Sequence, residues 1–330
     1  MKSVAVIGIG MVGRELFKVL EERQFNIGNL FIFASSRSAG KNVEFGGKTY
    51  VVEELTESSF DRGIDIAFFA AGGDVSKKYA SIAASKNCVV IDNSSAWRMN
   101  EDVPLVVPEV NSGDLARHKG IIANPNCSTI QAVTALYPLH KKYGIKRIVY
   151  STYQSVSGAQ LSGYQDLEDG LKGLPPKKFL HPIAGNCIPH IDVFLENGYT
   201  KEEEKMIFET RKIMNAPEIK ITATAVRVPV FYGHCESINV EFNNPYELGE
   251  LIGILERAPG VVVQNNHGEN QYPMPIYAAG TDEVYVGRIR RDFSVENGVN
   301  LWVVSDNTRK GAATNAIQIA EALLGQGRGL

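Results

Sequence analysis

Cys127 is the residue of this chain with the most chemistry to offer. It stands in Asn126-Cys127-Ser128-Thr129, after a short apolar strand pattern, Gly120-Ile121-Ile122-Ala123, that breaks at Pro125. Beyond it Ile130, Val133, Thr134 and Tyr137 recur at helical spacing. Ser128 and Gln131 have the S-x-x-Q spacing of a capping box, so the pattern predicts a helix from Ser128. The thiol then lies beside the positive end of a helix dipole, among backbone N–H groups with no intrahelical partner. Such a place favours a thiolate and can hold the oxyanion formed when sulfur attacks a carbonyl. A buried cysteine at a strand–helix junction is the competing reading of this segment taken alone.

Other polar residues close apolar runs, where side chains face a cleft. Gln154 ends a strand pattern over 147–154 and leads into Ser155-Val156-Ser157-Gly158. Arg227 interrupts Thr222-Ala223-Thr224-Ala225-Val226 and Val228-Pro229-Val230, a stretch too apolar for a solvated guanidinium, so it asks for a carboxylate or phosphate partner. His234 follows in Phe231-Tyr232-Gly233-His234-Cys235-Glu236, a glycine-containing turn able to aim an imidazole at Cys127. Glu209 and Lys212 lie one turn apart on a predicted helix over 202–214, where an exposed ion pair is the alternative reading.

The elements that position these residues fall into two regions. Val4-Ala5-Val6-Ile7 reads as a buried parallel strand, and Gly8-Ile9-Gly10-Met11-Val12-Gly13 follows it into a helix. Glycines in that place allow a tight turn and close approach of a pyrophosphate to a helix N-terminus. The second strand, Leu30-Phe31-Ile32-Phe33, is followed by Ala34-Ser35-Ser36-Arg37-Ser38 instead of an acid. Hydroxyls and a guanidinium suit a 2′-phosphate, so NADP is expected over NAD. Ala71-Gly72-Gly73-Asp74 opens another helix beside the first glycine loop and is a second expected cofactor contact. Further apolar runs at 66–70, 88–91, 105–107 and 121–123 complete a doubly wound sheet. From 145 onward the strand patterns lengthen and helices thin out, which predicts a second domain with a mostly antiparallel sheet. An amphipathic pattern from 308 to 325 is expected to return to the first domain, with Asn307 facing the cofactor.

The chain has 330 residues, enough for two cores, with 44% hydrophobic and 22% charged residues. Its net charge is −3 with Lys and Arg scattered, so no basic field exists for nucleic acid or an anionic membrane. No apolar run approaches the roughly 20 residues of a membrane span, and Met1-Lys2-Ser3-Val4 has no signal-peptide pattern. Cys88, Cys127, Cys187 and Cys235 form no CxxC pair, which argues against zinc or disulfides and for reduced thiols in a cytoplasmic protein.

Taken together the residues resemble the aspartate-semialdehyde dehydrogenase family along the whole chain. The carrying segments are Phe33-Ala34-Ser35-Ser36-Arg37-Ser38-Ala39-Gly40-Lys41, Val90-Ile91-Asp92-Asn93-Ser94-Ser95-Ala96-Trp97-Arg98, Asn124-Pro125-Asn126-Cys127-Ser128-Thr129, Ser151-Thr152-Tyr153-Gln154-Ser155-Val156-Ser157-Gly158, Glu209-Thr210-Arg211-Lys212, Arg227-Val228-Pro229-Val230 through His234, and Asp306-Asn307-Thr308-Arg309-Lys310-Gly311-Ala312-Ala313. The resemblance implies a Rossmann-type NADP-binding domain over 1–127, completed by the helix over 308–330. It implies a catalytic and dimerisation domain over 128–307, like the C-terminal domain of glyceraldehyde-3-phosphate dehydrogenase, and a homodimer. The implied reaction is the NADP-linked interconversion of L-aspartyl 4-phosphate and L-aspartate 4-semialdehyde. By position Cys127 is the acyl-thioester nucleophile, His234 the acid/base, and Gln154 the residue that orients substrate. Arg227 is placed on the substrate α-carboxylate and Glu209 on its amino group, with Arg98, Lys212 and Asn126 on phosphate. Cofactor contacts fall on Gly8, Gly10, Met11, Val12, Gly13, Ser35, Ser36, Arg37, Ser38, Gly72, Ser157, Gly158 and Asn307. Two rivals stand beside this reading. N-acetyl-γ-glutamyl-phosphate reductase has the same chemistry, but its acylated amino group gives a carboxylate at Glu209 no purpose. A catalytically silent relative has no need to keep Cys127, Gln154, Arg227 and His234 at once.

Overall fold

Val4, Ala5, Val6 and Ile7 are all apolar because the strand that carries them, β1 (Lys2–Ile7), is buried in the middle of a sheet covered on both faces. The computed structural model describes residues 1–325, in two compact units. One consists of Met1–Asn126 with the chain from Ala312 onward, the other of Cys127–Gly311.

In the first unit β1 is followed by α1 (Met11–Glu22), β2 (Ile27–Ala34), the hairpin β3 (Asn42–Phe45) and β4 (Lys48–Val51), and β5 (Glu53–Glu54). Then come β6 (Ile66–Phe69), α2 (Gly73–Ser85), β7 (Val89–Asp92), α3 (Pro108–Asn111) and β8 (Ile121–Ala123). The strands pair in the order β5-β2-β1-β6-β7-β8, parallel throughout. The chain leaves β1 to one side for β2 and returns to its other side for β6. The order therefore reverses at β1, and the crevice beyond the C-terminal ends of β1 and β6 is the switch point where dinucleotides bind in this topology. The run at 105–107 does not become a strand: only Leu105 bridges Ala123. Pro104 and Pro108 enclose it, and neither can donate to a ladder.

The second unit contains α4 (Cys127–Tyr143), β9 (Ile145–Gln154), α5 (Gln160–Leu171), α6 (Lys201–Met214), β10 (Lys220–Arg227), β11 (His234–Phe242) and α7 (Leu248–Glu256). It continues with β12 (Val261–Val263), α8 (Pro275–Ala278), β13 (Val284–Asp292) and β14 (Gly298–Ser305). Its sheet order is β10-β9-β11-β14-β13-β12. The three central pairings are antiparallel and the two edges parallel. The β9–β10 edge is parallel because the chain between them crosses through α5 and α6 instead of turning back in a hairpin. Along β11, His234, Glu236, Ile238, Val240 and Phe242 are buried while Ser237, Asn239 and Glu241 are partly exposed. One sheet face thus packs on helices, α4 and α6 among them. Tyr153 and Trp302 lie on the other, with ring centroids 5.5 Å apart.

A π-helical turn (Arg309–Ala313) leads from β14 into α9 (Thr314–Leu323), which belongs to the first unit. The expected amphipathic helix is instead buried nearly all round. Its polar residues find protein partners in place of water: Asn315 Nδ2 donates to Val106 O at 3.0 Å and Asn124 Oδ1 at 2.7 Å, and Glu321 accepts from Arg23 Nε at 2.9 Å. The end of that expected helix beyond residue 325 lies outside the described residues. Among the described residues no helix is long and apolar enough to cross a membrane, and no cluster of His, Cys, Asp and Glu is arranged to hold a metal.

Candidate active site

Helix α4 starts at Cys127 itself, one residue before the position that spacing predicts. The capping box is not made, because Gln131 turns inward: its side chain lies against Glu236 of β11, and its amide nitrogen meets the geometric criteria for no hydrogen bond among the described residues. The half-buried Cys127 thiol is left in the first turn, where helix N–H groups have no intrahelical acceptor. Gly311 passes close by. A Cβ there would stand 2.9 Å from Cys127 Cβ, so glycine is required for this approach.

Sheet register brings the distant polar residues to the same end. Gln154 and Arg227 are the last residues of β9 and β10 and pair with each other. β11 runs the opposite way and sets Cys235 against Tyr153, so His234 at its start is level with Gln154. Ser305, last in β14, pairs with His234, and Asn307 follows it. All five polar residues are buried.

Their electrostatics are unusual. Arg227 Nη1 donates to Ser155 O at 2.7 Å, while its Nε has no partner among the described residues. Burial pulls the guanidinium below its ordinary pKa, against the attraction of Glu202 and Cys127. His234 is pushed down to about 3, by burial first and Arg227 second, so its ring is neutral at physiological pH. Its Nδ1 meets Ser155 N–H at 3.1 Å, and its Nε2 has no partner among the described residues. Gly158 makes room for both: a Cβ there would be 2.6 Å from Arg227 Nη1 and 3.2 Å from His234 Nε2.

On α6 the structure brings residues other than Glu209 and Lys212 to Gln154. Thr200 and Glu203 form a capping box, and Glu203 also accepts from Ala225 N–H at 2.9 Å, which sets the first turn of α6 at the end of the sheet. Glu202 there accepts from Gln154 Nε2 at 3.2 Å, and Lys205 Nζ lies 3.1 Å from Glu202 and 2.7 Å from Asp192. Glu209 and Lys212 are seven residues further along, roughly 10 Å of helix rise. At that level Thr210 meets the Tyr150 hydroxyl at 3.2 Å, in the middle of β9. Both pairs have i,i+3 spacing, so spacing cannot separate them. Glu202 carries no sequence signal of its own, because three acids in a first helical turn read as dipole complements.

In the first unit, Gly8 has φ +102° and a Cβ would fall 2.8 Å from Ala70 O, while a Cβ on Gly13 would fall 2.0 Å from Gly8 O. Gly10 precedes α1 without a side-chain cap, and Gly72 precedes α2 likewise, so the first turns of both helices, Met11 and Val12 included, keep open N–H groups. Ser35, Ser36 and Arg37 are exposed after β2, with Ser38 half-buried behind them. Arg98 is buried, its Nε donating to Asn124 O at 2.9 Å and its Nη2 to Asn93 O at 2.9 Å. Asn126 is buried just ahead of α4.

Comparison with known proteins agrees with this architecture. Residues 3–118 match the family described as semialdehyde dehydrogenase, NAD binding domain, and residues 136–310 the semialdehyde dehydrogenase dimerisation domain. An aspartate-semialdehyde dehydrogenase of Aquifex aeolicus is 56% identical over 98% of both chains. The chain belongs to the aspartate-semialdehyde dehydrogenase family. A solved relative, aspartate semialdehyde dehydrogenase II from Vibrio cholerae complexed with ASA, superposes with TM-score 0.93 at 47% identity over 98% of each chain. A Candida albicans aspartate semialdehyde dehydrogenase solved with NADP gives 0.79 at 26% identity over 99% of each. As a member of this family the chain is an oxidoreductase with a nucleotide-binding domain and a dimerisation domain.

One buried acid of this family member makes a stability prediction. Glu236 is fully buried and neither carboxylate oxygen completes a hydrogen bond within the described residues. Burial raises its carboxyl well above 4.5, so the folded protein keeps a proton that the unfolded chain releases. Stability therefore falls as pH rises above about 4.5, by about 1.4 kcal/mol per pH unit, until the folded carboxyl ionises. The neutral isostere in Glu236→Gln removes this loss. Its melting temperature exceeds that of the parent at about pH 8 and converges with it toward about pH 4. Melting curves that differ by a constant amount across this range would show that Glu236 is ionised in the fold.

Proposed function

We propose that the chain catalyses the NADPH-dependent reductive dephosphorylation of L-aspartyl 4-phosphate to L-aspartate 4-semialdehyde, in biosynthesis of the aspartate-derived amino acids lysine, threonine, methionine and isoleucine. The observation that carries this reading is the gathering of Gln154, Arg227, His234 and Glu202 at one sheet end, with an imidazole Nε2 and a guanidinium Nε that no group among the described residues satisfies. Buried donors of this kind are costly unless a ligand completes them. The Cys127 sulfur attacks the acyl carbon, the carbon–oxygen bond to phosphate breaks, and a thioester remains. Bound NADPH supplies the hydride that reduces this thioester carbon. The carbon–sulfur bond then breaks to give the aldehyde and return the Cys127 thiolate, with His234 Nε2 managing the proton. Arg227 takes the α-carboxylate through its fork, and Glu202, in place of Glu209, takes the α-ammonium. Lys205, in place of Lys212, holds phosphate. Gln154, tied to Glu202, orients the acyl group. A free amino group gives Glu202 its purpose, which an N-acetylated substrate does not. The expected assay result is NADPH oxidation with L-aspartyl 4-phosphate and none above background with N-acetyl-γ-glutamyl phosphate; the opposite result overturns the reading.

NADP fits the glycine cradle, the two uncapped helix N-termini and the exposed Ser35-Ser36-Arg37 turn, which offers hydroxyls and a guanidinium to a 2′-phosphate. Arg37→Asp narrows or reverses the preference for NADP over NAD, by roughly ten-fold or more, since an exposed charge-assisted contact contributes about 1.5–3 kcal/mol at most. Equal affinity of the parent protein for both dinucleotides in a titration would show the turn to be merely solvated. The homodimer in this reading forms through the outer sheet face of the second unit, which carries Tyr153 and Trp302.

A further inference from the structure

Asp192 has no role in the reaction as written above, yet it is tied to residues that have one. It lies between α5 and α6 in a segment held at both ends. Ile188 and Arg227 exchange backbone hydrogen bonds at 2.9 and 2.8 Å, and Lys201 N–H donates to Val193 O at 2.9 Å, beside the cap that starts α6. Asp192 itself has φ +69°, a conformation that Asp and Asn adopt more readily than other side chains. Its Oδ1 accepts from Val193 N–H at 2.9 Å and its Oδ2 from Lys205 Nζ at 2.7 Å. Burial opposes its charge, but the Lys205 ammonium prevails and holds the carboxyl below its ordinary pKa, so it is ionised near neutral pH.

We propose that Asp192 is a positioning residue that makes the site select an α-ammonium: by drawing on the Lys205 ammonium, it leaves the charge of Glu202 for the substrate. The proposal rests on the reading of Glu202 as the residue that meets the α-amino group. The need for such a partner follows from the charges around Glu202. Lys205 Nζ donates to Glu202 Oε2 at 3.1 Å, an i,i+3 pair on one helix that needs no outside help to form. Arg227 from β10 is attracted to the same carboxylate. Without Asp192, Glu202 would stand between two cations, and an incoming ammonium would meet a net positive charge. With Asp192 the two carboxylates balance the two cations, so the ammonium is not repelled. The side chains of Glu202 and Lys205 are only 6% and 18% exposed, so solvent and salt screen this balance weakly. Asp192 itself lies further out and acts on the substrate only through Lys205.

The test measures kcat/KM in the oxidative direction for L-aspartate 4-semialdehyde and for succinate semialdehyde, which has hydrogen in place of the amino group. Both carry the carboxylate that Arg227 takes, so the ratio of the two isolates the ammonium. The parent is expected to prefer the amino substrate. Asp192→Asn keeps an acceptor for Val193 N–H and a side chain that tolerates the backbone, and removes the charge. It is expected to narrow the preference about three- to five-fold, a modest change because the Asp192 side chain is 32% exposed. The KM for inorganic phosphate should change less than that for L-aspartate 4-semialdehyde. In Asp192→Asn/Lys205→Leu the competing cation is gone as well, and the preference is expected to return. An Asp192→Asn enzyme with the parental ratio overturns the proposal. So does a double variant no more selective than Asp192→Asn, which marks Asp192 as a brace for its loop. If Asp192→Asn fails to fold, Lys205→Leu decides alone: it is expected to widen the ratio, and a ratio unchanged or narrowed overturns the proposal. Glu202→Gln is the reference. A parent without the preference, or a Glu202→Gln enzyme that keeps it, would overturn instead the assignment of Glu202 on which the proposal stands.

Discussion

A Cys127→Ala enzyme folds like its parent and loses essentially all activity, by about four orders of magnitude or more in kcat. Folding survives because alanine keeps the Cβ that packs against Gly311 and only a half-buried sulfur is lost. Activity does not, because without the thiolate neither acyl transfer nor the later reduction has a covalent intermediate to pass through. The other cysteines cannot substitute. Burial pushes the thiols of Cys88 and Cys235 up to about 12, so near neutral pH they are protonated and poor nucleophiles. Limiting iodoacetamide followed by peptide mapping should therefore label Cys127, with exposed Cys187 as its competitor, and leave Cys88 and Cys235 untouched. An active Cys127→Ala enzyme, or a Cys127 peptide that stays unlabelled, would remove the nucleophile assignment.

The second large effect separates two anion sites. Arg227→Leu is expected to lower kcat/KM for the semialdehyde by roughly 10²- to 10³-fold, about 3–4 kcal/mol, because a buried charged partner of the α-carboxylate is removed. Arg227→Lys recovers little, since a point charge does not reproduce the guanidinium fork. Removing this cation also lifts the charge that holds His234 down, so the pH limb due to His234 moves upward. Lys205→Leu should instead raise the KM for inorganic phosphate about ten-fold with a smaller effect on the semialdehyde. Lys212→Leu, two turns away, should change neither by more than about three-fold. If Lys205→Leu and Arg227→Leu give one kinetic pattern for both substrates, the separate assignments fail and Arg227 is a structural cation bracing the sheet end. If Lys212→Leu alone raises the phosphate KM, phosphate is held by Lys212 and not by Lys205.

Local order and covalent sequence determined much of this protein. The βα glycine loop of residues 8–13, the strand–helix junction at Cys127, and the polar residues that end apolar runs at Gln154 and Arg227 are each legible because one element's periodicity stops where a special residue begins. The expectation for the run at 105–107 failed for a reason that was equally local, two flanking prolines. What the sequence left open was register between elements distant in the chain. Only the antiparallel pairing of β9 with β11 makes His234 level with Gln154, and only the cap at Thr200 decides that Glu202 and Lys205, instead of the equally spaced Glu209 and Lys212, reach that end. The inward turn of Gln131 toward Glu236, the all-round burial of α9, and the cluster of Ser155, Asn307 and His234 are likewise tertiary. Spacing along a chain states which side chains share a face of one element. Which end of that face meets another element is set by packing and capping, and the contacts that decide it have no signature in either segment alone.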